Sequence, residues 1–321
     1  MYSPEITVVD CTIRDGGLMN NSKFPYETVR AVYKAICASR IHVVELGYRN
    51  SKKMFSPEIF GPWRFCEDDL LKRLVDDEGK GDTKIAVMMD AHKSETEDIC
   101  PKDKSVVDMI RVATYVKDID KAIKIANDAH EKGYISAINI MSISHAIERE
   151  LDEALQQISS ETHIAACYIV DSFGALYSED IDYYIHKYRK FLRKEIEIGY
   201  HGHNNQQLAF ANTIEAIIKQ ANFLDATLLG MGRGAGNCPI ELLLGFLKNP
   251  KFDIRPILDV IGKEILPLQQ KIDWGYHIPY MIAGILNLHP QDSMALMDLD
   301  KADPKRTDFR AFYEKCLEAG S

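Results

Sequence analysis

The sequence predicts an α/β protein: a (β/α)8 barrel followed by a helical C-terminal extension. Three observations carry that expectation. Eight short apolar runs start 24 to 43 residues apart. Amphipathic stretches with helical spacing lie between them. Polar, chemistry-bearing residues gather at the C-terminal ends of the runs, where barrels of this kind carry their sites.

The runs are Ile6–Asp10, His42–Leu46, Ile85–Met89, Met109–Ala113, Ala137–Met141, Cys167–Asp171, Glu197–His201 and Asp225–Leu228. They are nearly continuously apolar, as expected of parallel strands covered on both faces. After the first run, Tyr26 to Ser39 places Val29, Val32, Tyr33 and Ile36 on one helical face. After the fourth, Asp118 to Lys132 does the same with Ile119, Ala122, Ile123 and Ala126. Eight such alternations fit a closed barrel of about 250 residues. An open doubly wound sheet is the competing architecture, and the lack of a Gly-rich turn after the first run argues against it. From Lys248 only helical patterns remain, over Ile254–Gln270, Tyr280–Leu286 and Asp308–Ala319. The expected organisation is a catalytic barrel over residues 1–247 and a helical extension over 248–321, packed on the barrel and over its mouth.

The composition of the 321 residues, 46% apolar and 27% charged, is that of a globular chain and excludes disorder. A net charge of −9 argues against nucleic acid as a partner. No apolar run reaches about 18 residues, so no membrane span is expected. The seven cysteines form no C-x-x-C pair, and Met1 to Glu5 lack the basic start of a signal peptide. A cytoplasmic protein with reduced thiols is the expectation.

His201-Gly202-His203 is the sharpest local feature. Residues two apart on a strand share a face, so both imidazoles can reach one divalent cation. A carboxylate from another strand end, such as Asp15, would complete a facial set with open positions. Such donors suit Mn or Mg, with Co or Zn possible; the alternative is two ordinary strand histidines. Arg14 could stabilise a developing oxyanion beside the metal, or could form an ion pair with Glu45 or Asp10. Asn237 ends a Gly-rich loop and could join the metal or shape the turn. Glu45, Arg111 and Ser172, on or just after the second, fourth and sixth runs, are candidate substrate-binding groups.

These residues resemble a known family. Asp10-Cys11-Thr12-Ile13-Arg14-Asp15-Gly16 is similar to the D-x-T-[LI]-R-D-G signature of the DRE-TIM metallolyases, the HMG-CoA lyase-like superfamily. His201-Gly202-His203-Asn204 resembles its H-x-H-[ND] element. Gly230-Met231-Gly232-Arg233-Gly234-Ala235-Gly236-Asn237-Cys238-Pro239-Ile240-Glu241 is similar to the glycine-rich end of the 4-hydroxy-2-oxovalerate aldolase branch. Ile110 to Ala113 and Asp171 to Leu176 also fit that branch. The resemblance implies a TIM barrel, a divalent metal held by Asp15, His201 and His203, and an Arg14 that polarises the oxygen of a pyruvate enolate. Asn237 falls where other branches place a further metal ligand.

The chain departs from the aldolase branch at Leu18, where that branch has an acid/base histidine. A leucine cannot move protons. Tyr48, Tyr276, His277, Tyr280 and His289 are replacements to consider. Tyr276 and Tyr280 lead, because Gly275 and Pro279 could aim a phenol from the extension into the mouth. The resemblance implies a metal-dependent aldolase, acting on a 4-hydroxy-2-oxo acid to give pyruvate and an aldehyde. A Claisen-type synthase using acyl-CoA and a non-catalytic metal-binding barrel are the alternatives. A homo-oligomer or a partner dehydrogenase taking the aldehyde would fit the same branch.

Overall fold

Eight parallel strands close in sequence order into a barrel in the computed structural model, which describes residues 5–302 and 308–320. Residues 1–4 of the expected barrel, and 303–307 and 321 of the expected extension, lie outside the described residues. The strands are β1 (Thr7–Asp10), β2 (Val43–Tyr48), β3 (Lys84–Asp90), β4 (Met109–Thr114), β5 (Ile135–Ile140), β6 (Ala166–Asp171), β7 (Glu197–Gly202) and β8 (Phe223–Ala226). β8 pairs back onto β1, with Val9 beside Asp225. Among the described residues no helix is long and apolar enough to cross a membrane.

Every residue of β2, β4 and β6 is buried, as two covered faces demand. Outward-pointing side chains join the surrounding helices in the main core. Tyr26–Ala38 contributes Val29, Val32, Tyr33 and Ile36 to it, and Ile119–Glu131 contributes Ile119, Ala122, Ile123 and Ala126. The barrel interior holds a second apolar layer that includes Val9, Val43, Ala86, Met109, Ala137 and Tyr168. This layer closes the barrel below the site, so the polar residues above it stand on a packed floor.

The Thr12–Gly16 segment after β1 is one turn of helix. Arg14 and Asp15 therefore project from a helical turn above the strand end. β8 begins at Phe223, two residues earlier than expected, because its register is set by pairing with Thr7 to Asp10. A helix over Gln291–Ala302 was not expected at all. Its hydrophobic residues Met294, Leu296 and Met297 do not form the single clear stripe that periodicity detects.

In the C-terminal region, the stretch expected as one helix is Arg255–Val260, a π turn over Ile261–Ile265, and Leu266–Gln269. Pro267 supplies no N–H to the preceding turn, which favours such a break. The helix Ile278–Ile285 lies against the loops that follow β5, β6 and β7. There Asn205 donates to the Tyr280 carbonyl at 3.2 Å, and Ser144 donates to Asn287 at 2.7 Å.

Candidate metal centre and active site

The strand-end side chains converge at the C-terminal end of the barrel. Ligand atoms of Asp15, His201 and His203 all lie within 4.8 Å of one another, and all three side chains are buried. Each reaches that point for a separate structural reason. His201 is the penultimate residue of β7, and His203 follows one residue past its end, in a bridge with Asn237. The alternation of the strand brings their rings to 5.2 Å between centroids. Asp15 comes from the helical turn after β1.

The neighbours of these three groups prepare them to bind a cation. His201 Nδ1 lies 3.0 Å from Asp225 Oδ2, which turns Nε2 toward the site. A carboxylate behind a ligating histidine fixes its tautomer and raises its basicity. His203 keeps a buried Nδ1 with no hydrogen-bond partner among the described residues. Burial holds its imidazole well below the ordinary value, and Arg233, His201 and Arg14 act in the same direction against Asp15. The ring is therefore neutral, with a lone pair to offer. Burial disfavours the Asp15 carboxylate, but Arg14, His203, His201 and the Asn237 amide outweigh it and hold the group well below the carboxylate range.

Asn237 Nδ2 donates to Asp15 Oδ2 at 2.7 Å, and the Arg233 backbone N–H donates to the same oxygen at 3.1 Å. Asn237 Oδ1 is buried without a partner. The close approach depends on Gly232, where a Cβ would stand 2.3 Å from Asn237 Nδ2 and 2.4 Å from Asp15 Oδ2. Two histidines, one of them with an unpartnered buried ring nitrogen, a pinned carboxylate and the unpartnered Asn237 Oδ1 fit a divalent cation. Asp15, His201 and His203 would hold it, with Asn237 beside them.

Arg14 forms the ion pair with Glu45 that was one of the two readings of it, and it also faces the cavity. Its Nε donates to Glu45 Oε2 at 2.7 Å and its Nη1 to Asp15 Oδ1 at 2.6 Å, while the side chain still lines the cavity. Glu45 and Arg111 were expected to bind substrate; the structure places both outside the lining of the cavity. Both are sealed, at 0% exposure. Arg111 donates to Glu45 at 2.9 Å and to both oxygens of Asp225 at 2.9 and 2.7 Å. Its guanidinium also stacks on the Tyr168 ring, 4.3 Å from the centroid. These groups form a sealed ionic layer beneath the cavity. Ser172 does line the cavity; its hydroxyl accepts from the Ser142 N–H at 2.8 Å.

The phenols expected from the extension do not reach the site. Tyr276 is 52% exposed, and Tyr280 is buried against Ala235 and Met297. Burial first, then Asp273 and Asp298, push the Tyr280 phenol up to about 12. Gly275 and Pro279 shape the chain, but the rings they carry pack beside the barrel loops. His277 pairs with Asp273, and His289 rests edge-on against Phe173.

Tyr48 does line the cavity, together with Leu18. Tyr48, Met88 and Ala113 form an apolar wall against which Leu18 and Met141 pack. Two further residues carry the site and were not singled out from the sequence: Asp225, which orients His201, and Arg233, which lines the cavity. Asp225 could have been found as a carboxylate inside an otherwise apolar run, since a buried charge must be paired. Arg233 stands out as the single charged residue within the Gly230–Gly236 loop.

Comparison with known proteins agrees with this arrangement. The family model described as HMGL-like matches residues 104–260. An oxaloacetate decarboxylase of Mycobacterium tuberculosis is 28% identical over 85% of this chain and 82% of its own. A 4-hydroxy-2-oxovalerate aldolase of Thermus thermophilus is 28% identical over 78% of this chain and 72% of its own. The solved N-terminal domain of a candidate aldolase from Bacteroides vulgatus is 32% identical, with a TM-score of 0.81 over 91% of this chain and 96% of that one. Identity of 32% over 91% of this chain, on a barrel whose strand ends carry the Asp15, His201 and His203 cluster and whose residues 104–260 match the family model, leaves one assignment: the chain belongs to the HMGL-like family.

Proposed function

We propose that the chain is a divalent-metal-dependent lyase that cleaves a 4-hydroxy-2-oxo acid to pyruvate and an aldehyde. The convergence of Asp15, His201 and His203 beside Arg14 carries this reading. Mn or Mg is the ion in this reading, although two imidazoles and a carboxylate also suit Co or Zn. When bound, it would act as a Lewis acid toward the 2-oxo acid. Arg14 stabilises the enolate oxygen as the C3–C4 bond breaks and its electron pair moves into the enolate.

Proton transfer falls to Tyr48 in place of a histidine at position 18. Burial pushes its phenol up, with Arg14 opposing, so the hydroxyl stays protonated. The hydroxyl takes the 4-hydroxyl proton while passing its own to the enolate carbon, and no phenolate needs to persist. Leu18 contributes apolar surface that excludes water from the enolate.

The test is direct. With 4-hydroxy-2-oxopentanoate and Mn, the protein is expected to release pyruvate, read by lactate dehydrogenase and NADH oxidation. Chelation should abolish the release and added Mn restore it. Absence of pyruvate at any substrate concentration would remove the aldolase reading; the same assay with oxaloacetate separates cleavage from decarboxylation. Tyr48→Phe should lower kcat about 10²-fold, at the low end for acid–base groups because water can partly replace the hydroxyl. Its affinity for Mn should be unchanged. A Phe variant with full turnover would take Tyr48 out of the proton path.

A further inference from the structure

We propose that Arg233 recognises a second anionic group on the substrate, so that the preferred substrate is a diacid whose distal carboxylate lies opposite the 2-oxo acid end. This rests on the 2-oxo-acid reading above and adds the class of tail that the site accepts.

The observation behind it is an unmatched charge. Among the described residues, Arg14 and Arg111 are each paired to carboxylates within 3 Å. Arg233 has no carboxylate partner within ion-pair distance. Its side chain lines the same cavity, and its one side-chain hydrogen bond runs from Nη2 to the Ser172 carbonyl. Its Nε is buried with no acceptor. The side chain is partly buried, and a guanidinium with a sealed N–H and no carboxylate of its own is a natural partner for an anionic ligand group. Burial first, and Arg14 with it, push its pKa down against the attraction of Asp15, yet an arginine stays charged.

Charge balance gives the same answer. Below and beside the cavity, three carboxylates (Asp15, Glu45 and Asp225) face two guanidiniums (Arg14 and Arg111). A divalent ion on the Asp15 site leaves this cluster with one positive charge, which the carboxylate of a 2-oxo acid cancels. Asp90, also on the cavity wall, is already matched by Lys93 at 2.9 Å. Arg233 stands outside this set of ion pairs, and among the described residues its charge has no carboxylate within ion-pair distance.

Its charge is felt by Asp15 and His203, but its one side-chain hydrogen bond is to the loop after β6. The backbone of Arg233 holds Asp15, but its side chain crosses to the loop after β6, where it bonds the Ser172 carbonyl. A substrate anchored at Asp15, His201 and His203 would extend toward that loop. The apolar wall of Leu18, Met88 and Met141 would pass the carbon chain, and the guanidinium would meet its end.

The test uses two unreactive acids of equal chain length on the Mn-loaded protein, by isothermal titration calorimetry. 2-Oxoglutarate carries a distal carboxylate, 2-oxopentanoate does not, and neither has the 4-hydroxyl needed for cleavage. The wild type should bind 2-oxoglutarate roughly 10- to 100-fold more tightly, the range for a charge-assisted hydrogen bond. Arg233→Gln should abolish that preference and leave 2-oxopentanoate affinity within about threefold. Arg233→Lys should keep part of it, showing that the loop survives substitution. Equal binding of both acids by the wild type would overturn the inference while leaving the 2-oxo-acid reading intact. Equal loss of both acids in Arg233→Gln would also overturn it, by placing Arg233 on the shared end. If neither acid bound, the 2-oxo-acid reading and this inference would both fail.

Discussion

Arg14→Lys is expected to lower kcat by roughly 10²- to 10³-fold, comparable with removing one donor from an oxyanion site, with Mn content close to wild type. The size follows from what the guanidinium does at once. Nε holds Glu45 at 2.7 Å, Nη1 holds Asp15 at 2.6 Å, and Nη2 lies 3.9 Å from Asp225. One planar fork thus spans three carboxylates and still presents an edge to the cavity. A lysine keeps the charge but offers one nitrogen, which cannot hold Asp15 and Glu45 and also meet an enolate oxygen. Asp15 would still receive the Asn237 amide and the Arg233 N–H, so its ligand position should persist. Steady-state kinetics beside metal analysis of the purified variant separates the two effects. A variant with wild-type kcat would take Arg14 out of the chemistry; one that lost its Mn would make it a support for Asp15 only.

The barrel was legible because its signals are local and repeated: apolar runs covered on both faces, and helical stripes such as Val29, Val32, Tyr33 and Ile36 between them. The metal cluster was legible for the same kind of reason. His201 and His203 share a face through strand geometry alone, and Asp15 belongs to a contiguous motif. What sequence could not convey was depth. Glu45 and Arg111 lie on strands that also carry the site, yet they point into a sealed layer, and a one-dimensional pattern does not distinguish the floor of a cavity from its wall. Tyr276 and Tyr280 failed for another reason. Their placement depends on how a helical extension docks on loops, which involves contacts such as Asn205 with the Tyr280 carbonyl that no periodicity encodes. Tyr48 belongs to β2, so its position follows from the barrel itself.

Arg111→Met is expected to cost about 3–5 kcal/mol of stability, as expected when one partner of a buried ion pair is removed. The methionine fills much of the same space over Tyr168, so the loss would come from charge and not from a cavity. Glu45 and Asp225 would remain buried, with Arg14 alone to answer them. Burial opposes the Asp225 carboxylate, but Arg111, His201 and Arg14 hold it down to about 2 in the native protein. Without Arg111 the balance moves back toward burial and the native-state pKa rises. Once it exceeds the unfolded value of about 3.9, the folded chain binds more protons than the unfolded one, and stability falls as pH increases. The deficit of the variant in urea denaturation should therefore be larger at pH 8 than at pH 5. A deficit that was pH-independent, or below about 1 kcal/mol at pH 8, where a surface ion pair would fall, would show that the layer carries little charge coupling. The same shift reaches the metal. A protonated Asp225 would donate to His201 Nδ1 and force the ring proton onto Nε2, the nitrogen that faces the ion. Mn affinity should then weaken roughly 10- to 100-fold, the range for lost support behind a ligand, and more at low pH than at high. An arginine that touches neither metal nor substrate would thus set the protonation state of a ligand through one intervening carboxylate.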